Sequence, residues 1–377
     1  MIYLDNSATT KPYKEVLDSF HQVSTTYFGN PSSIHQLGTE AEQLLSAAKR
    51  QAAQLLQVKE EEIVFTSGGT EGNNTAIKGI AYEHVNRGKH IITSRIEHPS
   101  VLETCKALEG QGYDVTYLPV DEVGRVSVSD LEKAIRSDTI LVTIMHVNNE
   151  IGTIQPIEEI AEVCSRYPKL YFHVDHVQGL GKVPLSLEKI DLCTMSGHKI
   201  HGLKGTGVLY IRKNISLFPL LHGGEQEFGY RSGTENLPGA VSFVKALRMT
   251  LEKQSQDKGK LADIRQALSE KLRDMEGVIL HDSEHHAPHI LNFSLPGFKP
   301  EVVIHAIEKE GFIISTKSAC SSKNKDESAV LAACGLPKDR TTSALRVSLS
   351  YSNTMEEIHS FSLAFQSVKQ QLSKVMG

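Results

Sequence analysis

Short apolar segments alternate with amphipathic, Ala- and Leu-rich segments over the first two thirds of the chain, and this alternation restricts the possible folds most. The apolar segments have the length of buried strands, and the segments between them show helical spacing. The predicted strands are 63–66, 89–93, 114–119, 139–146, 170–174, 192–195 and 207–211; the predicted helices are 40–56, 101–109, 130–137, 157–167 and one from Asn73. Parallel strands joined by helices predict an α/β fold with a mostly parallel sheet covered on both faces.

The last third of the chain has a different pattern. Residues 254–260 are polar and charged, and they are followed by a predicted helix over 261–275. Strands around 290–293 and 313–315 and a C-terminal helix from Met355 complete the pattern. This arrangement predicts a second, smaller α+β domain.

Composition excludes several classes of function. The 377 residues carry a formal net charge of −5 with both signs mixed, so no broad nucleic-acid surface is expected. No apolar run approaches the roughly 18 residues of a membrane span, and the N-terminus lacks the pattern of a secretory signal. The five widely spaced cysteines form no CxxC pair, so neither a disulfide framework nor a zinc site is expected. We therefore expect a globular protein of the reducing cytoplasm.

A glycine-rich segment follows the predicted strand 63–66. It reads Ser67-Gly68-Gly69-Thr70-Glu71-Gly72 and precedes a predicted helix. Glycines allow close approach of the backbone to an anion, and the helix start supplies free N–H groups. The segment predicts a phosphate site, although a plain turn is the alternative on this pattern alone, and the spacing of a Walker loop is absent.

Two charged residues follow neighbouring predicted strands. Asp175 ends an apolar strand, where it could keep a pyridinium nitrogen protonated, cap a helix or form a structural salt bridge. Lys199 follows the strand 192–195 among several glycines, so it could form a Schiff base or simply lie at the surface. A Schiff-base lysine, a pyridinium carboxylate and a phosphate site together are the three anchors that pyridoxal phosphate requires.

One cysteine differs from the other four. Cys320 lies in a polar segment, Thr316-Lys317-Ser318-Ala319-Cys320-Ser321-Ser322, whereas Cys105, Cys164, Cys193 and Cys334 lie in predicted helices, an apolar strand or a helix end. Exposure and the neighbouring Lys317 would favour the thiolate, so Cys320 is a candidate nucleophile. An ordinary exposed thiol is the alternative.

Taken together, these segments resemble the cysteine desulfurases of the NifS/IscS type, within the class V aminotransferases. The resemblance runs in order through nearly the whole chain, in residues 3–10, 30–35, 65–71, 97–99, 147–152, 174–178, 196–199, 231–236, 318–322 and 345–348. It implies the fold of a PLP-dependent transferase, similar to aspartate aminotransferase. A large domain over 14–255 would bind the cofactor, and a small domain over 1–13 and 256–377 would carry the Cys320 loop.

The resemblance also implies residue roles. Lys199 would hold pyridoxal 5′-phosphate as a Schiff base, Asp175 would pair with the ring nitrogen and Gln178 with the ring hydroxyl. His98 would stack on the ring and move protons. The phosphate would be bound by Gly69, Thr70, Ser196, His198 and, from a neighbouring subunit, Thr234. Asn149 and Arg346, with Asn30 nearby, would bind the substrate carboxylate; the local alternatives are a turn residue for His98, a cap for Asn149 and a surface ion pair for Arg346.

The implied reaction removes sulfur from L-cysteine, releases L-alanine and leaves a persulfide on Cys320. A homodimer and a sulfur acceptor protein, either an iron–sulfur scaffold or a tRNA-thiolation enzyme, are the implied partners, without a membrane or direct nucleic-acid contact. A selenocysteine lyase, a class V aminotransferase, or a relay protein that has lost turnover are the alternatives.

The sequence also departs from the family pattern. His176 stands where a small residue is usual, Glu225 and Lys317 where glycine is common, and Phe228 where arginine is usual. None of these changes removes a proposed catalytic group, but Phe228 and Lys317 bear on partner choice. A histidine-containing tract over 282–289 is interpreted as a polar loop, with metal binding as the alternative.

Overall fold

The computed structural model describes residues 1–316 and 327–376. Cys320 and Lys317 lie outside the described residues. The strands are β1 (Ile2–Tyr3), β2 (Ile63–Thr66), β3 (His90–Ser94), β4 (Asp114–Leu118), β5 (Thr139–Met145), β6 (Tyr171–Asp175), β7 (Leu192–Ser196), β8 (Gly207–Ile211), β9 (Ile279–His281), β10 (Ile290–Ser294), β11 (Phe312–Ile313) and β12 (Ala344–Ser348).

The α-helices cover most of the sequence between these strands. They are α1 (Lys14–Thr26), α2 (Gln36–Leu56), α3 (Gly69–Glu83), α4 (Pro99–Glu109), α5 (Val128–Ala134), α6 (Ile157–Cys164), α7 (Leu237–Gln256), α8 (Lys260–Arg273), α9 (Pro300–Lys309), α10 (Ala329–Ala333), α11 (Lys338–Thr341) and α12 (Met355–Met376). Short 3-10 helices lie at Glu60–Glu62, Gly197–Lys199 and Gln226–Gly229. The helix predicted to start at Asn73 begins at Gly69 instead, so the glycine-rich segment forms its first turn.

The large sheet has the strand order β2-β8-β7-β6-β5-β3-β4. Strands β3 to β7 pair in parallel, whereas β8 runs antiparallel to both of its neighbours. The register places Met145 beside Asp175, and Asp175 beside Thr194. Because the carboxyl ends of parallel strands meet at one edge of a sheet, the segments that follow β5, β6 and β7 lie together there.

Both faces of this sheet are covered. Neighbouring strand residues alternate between two apolar clusters, with Ile92 and Val142 in one and Ile91 and Leu141 in the other. Helices α2, α6 and α7 contribute to the first cluster, and α3 and α4 to the second. Strand β5 is buried along its whole length, as expected for a central strand between two helical layers.

The C-terminal third builds a separate apolar cluster. Strands β12, β10 and β9 form an antiparallel sheet, and β1 pairs in parallel with β11. Leu4 joins residues between Leu261 and Val368 in this cluster. The grouping supports the predicted division into 14–255 and 1–13 with 256–377, which stays a prediction. Within the described part of the chain, no helix is long and apolar enough to cross a membrane.

Candidate active site

A cavity of about 190 Å³ lies at the carboxyl edge of the large sheet. It collects side chains that are far apart in the sequence, from the segments after β2, β3, β5, β6 and β7 and from β12. The residues predicted from the sequence that line it are Gly69, Thr70, His98, Asn149, Asp175, Gln178, Ser196, His198, Lys199 and Arg346.

Two predicted site residues within the described chain do not line this cavity, and a third lies outside the described residues. Thr234 is exposed, on the segment that precedes α7. Asn30 is also exposed, and its Oδ1 accepts the N–H of Ser32 at 2.9 Å. Cys320 lies outside the described residues. The roles of these three residues therefore stay predictions.

Lys199 lies in the 3-10 turn that follows β7. Its Nζ donates to the backbone carbonyl oxygen of Ala8 at 2.8 Å and also to that of Ser7. The backbone carbonyl of Lys199 accepts the Nζ of Lys182 at 2.7 Å. Burial lowers the pKa of Lys182 to about 7, and the nearby charge of Lys199 lowers it as well. The N-terminal segment and Lys182 thus hold the lysine turn at the cavity.

Asp175 is the last residue of β6 and is 6% exposed. Its two carboxylate oxygens accept hydrogen bonds from Asn73 Nδ2 at 2.7 Å and from the backbone N–H of Val177 at 3.0 Å. Both donors are neutral groups. An acceptor-only carboxylate in such a place can bind a protonated ring nitrogen with a charge-assisted hydrogen bond.

The start of α3 has the properties of an anion site. Gly68 precedes the helix with a φ of 142° and provides no side-chain cap for its first N–H groups. A Cβ placed on Gly69 would lie 3.0 Å from Val177 Cγ2, so glycine permits this close approach. The buried Ser196 Oγ nearby has no hydrogen-bond partner among the described residues. A phosphate group would satisfy both the N–H groups and this hydroxyl.

These observations fit pyridoxal phosphate. An amine at Lys199, a carboxylate at Asp175 and an anion site at the start of α3 line the same cavity. They are the three anchors that this cofactor requires, each supplied by a different segment.

Arg346 lies on β12 and is 1% exposed, so it is not the surface residue of the alternative interpretation. Its Nη2 contacts Asp5 Oδ1 and Ser315 Oγ, both at 2.8 Å, and its Nη1 donates to the backbone carbonyl of Asn149 at 2.7 Å. Its Nε is buried and has no partner among the described residues. The guanidinium is therefore held rigidly at the cavity wall, and this one N–H is still unsatisfied.

Asn148, and not Asn149, caps the turn that follows β5. The Asn148 side chain accepts the backbone N–H groups of Glu150 and Ile151, at 2.8 and 3.0 Å. This leaves the Asn149 side chain at the cavity wall, without the capping role.

Sequence reasoning missed several cavity residues, namely Ser7, Ala8, Asn73, Ser100, Met145, Val147 and Val177. Residues 3–10 match the family pattern, but no role was predicted for them. In the structure, backbone carbonyl groups of this segment accept hydrogen bonds from the side chains of Lys199 and Gln178. The amide nitrogen of Gln178 donates to the Ser7 carbonyl at 3.0 Å. The match of residues 3–10 to the family pattern was the sequence signal that could have predicted these contacts.

The departures from the family pattern have structural consequences. The imidazoles of His176 and His146 are buried, with their Nδ1 atoms 2.8 Å apart, and burial lowers both pKa values, that of His146 to about 4. Phe228 has a φ of 58°, and Lys49 Nζ lies 4.3 Å from its ring centroid. Lys49 also forms a buried ion pair with Glu227 at 2.9 Å.

Within the described residues, no group of three or more histidine, cysteine or acidic side chains is placed to bind a metal ion.

Glu97, next to His98, is a fully buried carboxyl group whose charge state depends on pH. Burial raises its pKa from the usual 4.5 to about 8; hydrogen bonds from Ser94 Oγ and the Met145 N–H oppose the shift, and the Asp175 charge adds to it. The native state then keeps a proton that the unfolded state releases, so the contribution of Glu97 to the free energy of unfolding falls as pH rises through this interval. The slope is at most about 1.4 kcal/mol per pH unit.

Glu97→Gln is therefore expected to gain stability relative to the wild type as pH rises from about 5 to about 8. Glutamine keeps the acceptor for Ser94 and Met145 and carries no charge. Urea unfolding of the two apoproteins across this interval measures the difference, with the exposed Glu122→Gln as the control. If the Glu97→Gln and Glu122→Gln curves shift alike with pH, the raised pKa of Glu97 is wrong.

Comparisons with known proteins identify the family of the chain. The family model for aminotransferase class-V proteins matches residues 2–361. The NifS/IcsS protein homolog of Lactobacillus delbrueckii subsp. bulgaricus is 47% identical over an alignment that covers 100% of this chain and 99% of that protein. The cysteine desulfurase IscS of Methanosarcina thermophila is 46% identical, over 95% of this chain and 89% of that protein.

A solved structure of a NifS-like protein shares the fold, with a TM-score of 0.92 at 37% identity, and covers 98% of this chain and 99% of that one. This likeness and the seven-stranded α/β sheet confirm the predicted transferase fold. The chain therefore belongs to the aminotransferase class-V family, within its NifS/IscS group.

Proposed function

We propose that this protein is a pyridoxal-phosphate-dependent cysteine desulfurase, which removes sulfur from L-cysteine, releases L-alanine and passes the sulfur to an acceptor protein. The observation that carries the proposal is the single cavity that joins Lys199, Asp175 and the anion site at the start of α3. The relatives named as cysteine desulfurases match over nearly the whole chain, which supports this substrate rather than another amino acid.

The residues present fit the cofactor as follows. Lys199 would attach it covalently, Asp175 would pair with the ring nitrogen, Gln178 with the ring hydroxyl, and His98 would lie against the ring. When bound, pyridoxal phosphate supplies an electron sink for the bonding electrons released at the substrate Cα. The phosphate ligands would be the backbone of Gly69, the side chains of Thr70, Ser196 and His198, and Thr234 of a second copy of the chain in a homodimer.

The substrate carboxylate would bind at the Arg346 side of the cavity. The unsatisfied Nε of Arg346 supports this placement, because a buried N–H donor without an acceptor is costly and a carboxylate would satisfy it. Asn149 and Asn30 would contribute further contacts. The amine of Lys199, once released from the cofactor, would take the Cα proton.

Cys320 would receive the sulfur. Its thiolate attacks the substrate sulfur, an S–S bond forms, and the Cβ–S bond breaks; the electrons of that bond stay with the substrate carbon, which takes a proton and leaves in alanine. The protein keeps a persulfide, so no external oxidant is needed in this step. Lys317 and Phe228 would then bear on which acceptor is used, an iron–sulfur scaffold or a tRNA-thiolation enzyme.

The same proposal gives a cellular setting. Free cysteines at positions 105, 164, 193 and 334 support a reducing compartment, and we place the protein in the cytoplasm. No membrane and no direct nucleic-acid contact are part of the proposal.

A substrate panel tests the proposed function. The protein is loaded with pyridoxal phosphate and assayed in the presence of a thiol reductant. It is expected to form alanine and sulfide in equal amounts from L-cysteine. L-selenocysteine tests the lyase alternative, and an amino donor with an α-keto acid tests the transaminase alternative. Amino transfer without sulfide release, or cofactor binding with no product from L-cysteine, would overturn the proposal.

A further inference from the structure

Four side chains form a continuous hydrogen-bonded link between Asp175 and His98. Asp175 Oδ2 is 2.7 Å from Asn73 Nδ2, and the same nitrogen is 2.8 Å from Ser100 Oγ. Ser100 Oγ is 2.8 Å from His98 Nδ1. Asn73 and Ser100 are 1% and 9% exposed, so bulk water does not compete for these contacts.

The direction of each hydrogen bond in this link is determined by the carboxylate. An ionised carboxylate only accepts, so the Asn73 amide must present its NH₂ group to Asp175. That nitrogen carries two protons, and the second one points to Ser100 Oγ. Because Ser100 Oγ accepts from Asn73, its own proton is available for His98 Nδ1.

A second donor meets the same atom of His98. His98 is the N-cap residue of α4, and its Nδ1 accepts the backbone N–H of Ser100 at 3.1 Å. A protonated Nδ1 would place two hydrogens against each other at this contact. This contact therefore also favours Nδ1 as the acceptor, so the neutral imidazole carries its proton on Nε2.

The surroundings also disfavour a doubly protonated His98. Burial is the main cause of its lowered pKa; the Asp175 carboxylate opposes this effect and the charge of Lys199 adds to it. The first turn of α4 presents the positive end of the helix dipole to the ring. These groups favour the neutral ring.

We propose that Asn73 and Ser100 are positioning residues, which transmit the orientation set by Asp175 to His98 and hold the His98 proton on Nε2. The consequence for catalysis rests on the proposed function. With its proton on Nε2, His98 must donate this proton in the reaction before Nε2 can accept another one. The removal of the substrate Cα proton then falls to Lys199, and His98 supplies a proton later in the cycle.

The test reads the protonation of His98 directly in the apoprotein. Nitrogen-15 labelling of the 17 histidines and a two-bond nitrogen–proton correlation spectrum distinguish the tautomers, and His98→Gln identifies the His98 signals. The wild type is expected to show the neutral form with the proton on Nε2. In Asn73→Asp, the new carboxylate accepts the Ser100 proton, so Ser100 Oγ becomes an acceptor for a proton on Nδ1, and only the longer backbone contact at 3.1 Å still favours the Nε2 form. The share of His98 protonated on Nδ1 is therefore expected to rise, and the His98 signals shift.

Two variants control this result. Asn74→Asp adds the same charge to the same helix, but Asn74 donates to the backbone of Thr70 instead, so the His98 tautomer is expected to stay unchanged. In a Ser100→Ala background the link is interrupted, and Asn73→Asp is expected to have no effect on the tautomer. A wild-type His98 protonated on Nδ1, or an Asn73→Asp effect that persists without the Ser100 hydroxyl, overturns the proposal.

The loaded enzyme supplies the second readout. Ser100→Ala, which leaves Asp175 and its contact with Asn73 in place, is expected to lower kcat for L-cysteine by roughly 10-fold, with KM changed by less than about 3-fold, because proton transfer through His98 and not binding is affected. The apoprotein spectra do not depend on turnover. A failed desulfurase assay therefore contradicts the proposed function, whereas a wrong tautomer contradicts the role of Asn73 and Ser100.

Discussion

Lys199→Ala is expected to abolish the absorbance band of the Schiff base between Lys199 and pyridoxal phosphate in the reconstituted protein, and to lower cysteine turnover by roughly 10⁴-fold or more. The lysine supplies both the covalent attachment and the amine that takes the substrate proton, so alanine removes two functions at once. The other anchors, Asp175 and the start of α3, stay in place, and phosphate-dependent binding of the cofactor is expected to persist in weaker form.

The exposed Lys213→Ala is a suitable control, because Lys213 pairs with Glu61 at 3.0 Å on the surface. It is expected to keep both the absorbance and the turnover. Absorbance spectra and alanine formation are measured for the wild type, Lys199→Ala and Lys213→Ala. If Lys199→Ala keeps the wild-type spectrum, Lys199 does not bind the cofactor covalently.

Cys320→Ala is expected to keep the cofactor and cysteine binding but to lose sulfur transfer, by roughly 10³-fold or more. The four cysteines within the described residues are all buried. Burial raises the thiol pKa of Cys105, Cys164 and Cys334 to about 12 and that of Cys193 well above its usual value. Thiols in this state supply almost no thiolate at neutral pH, so none of the four can replace Cys320 as the nucleophile.

Cys334→Ala is the matched control. Cys334 ends α10 in an apolar cluster, so its replacement is expected to cost some stability and leave catalysis intact. Sulfide release, compared with the spectral change on cysteine addition, separates the two effects. Normal sulfide release by Cys320→Ala would contradict the assignment of Cys320.

The strands of the large sheet and the polar residues at their ends could be predicted from the sequence, because apolar runs of four to eight residues between helical segments are typical of buried strands. Asp175 and Lys199 could be placed at one edge, since both follow parallel strands of the same sheet. Two long helices, α1 and α7, were not predicted. In α7 the apolar residues Leu237, Ala240, Phe243, Val244 and Leu247 show helical spacing, but Pro238 and Gly239 at its start obscured it.

The side-chain contacts that orient the site were beyond the sequence. Arg346 and Asp5 are 341 positions apart, and the parallel bridge between Asp5 and Ser348, the last residue of β12, brings them together. Asn73 reads in the sequence as an ordinary helical residue. Its position on the first turns of α3 points it to Asp175 and Ser100, and this follows from the packing of the helix on the sheet rather than from any motif.

In the proposed reaction, sulfur from cysteine is held on Cys320, and the mass of the peptide that contains this residue tests the reaction most directly. Protein loaded with pyridoxal phosphate is treated with L-cysteine without reductant, blocked with an alkylating agent and digested. One added sulfur atom is expected on Cys320, formed together with an equal amount of alanine. Alanine and sulfide without added sulfur on Cys320, or added sulfur on another cysteine, would contradict it.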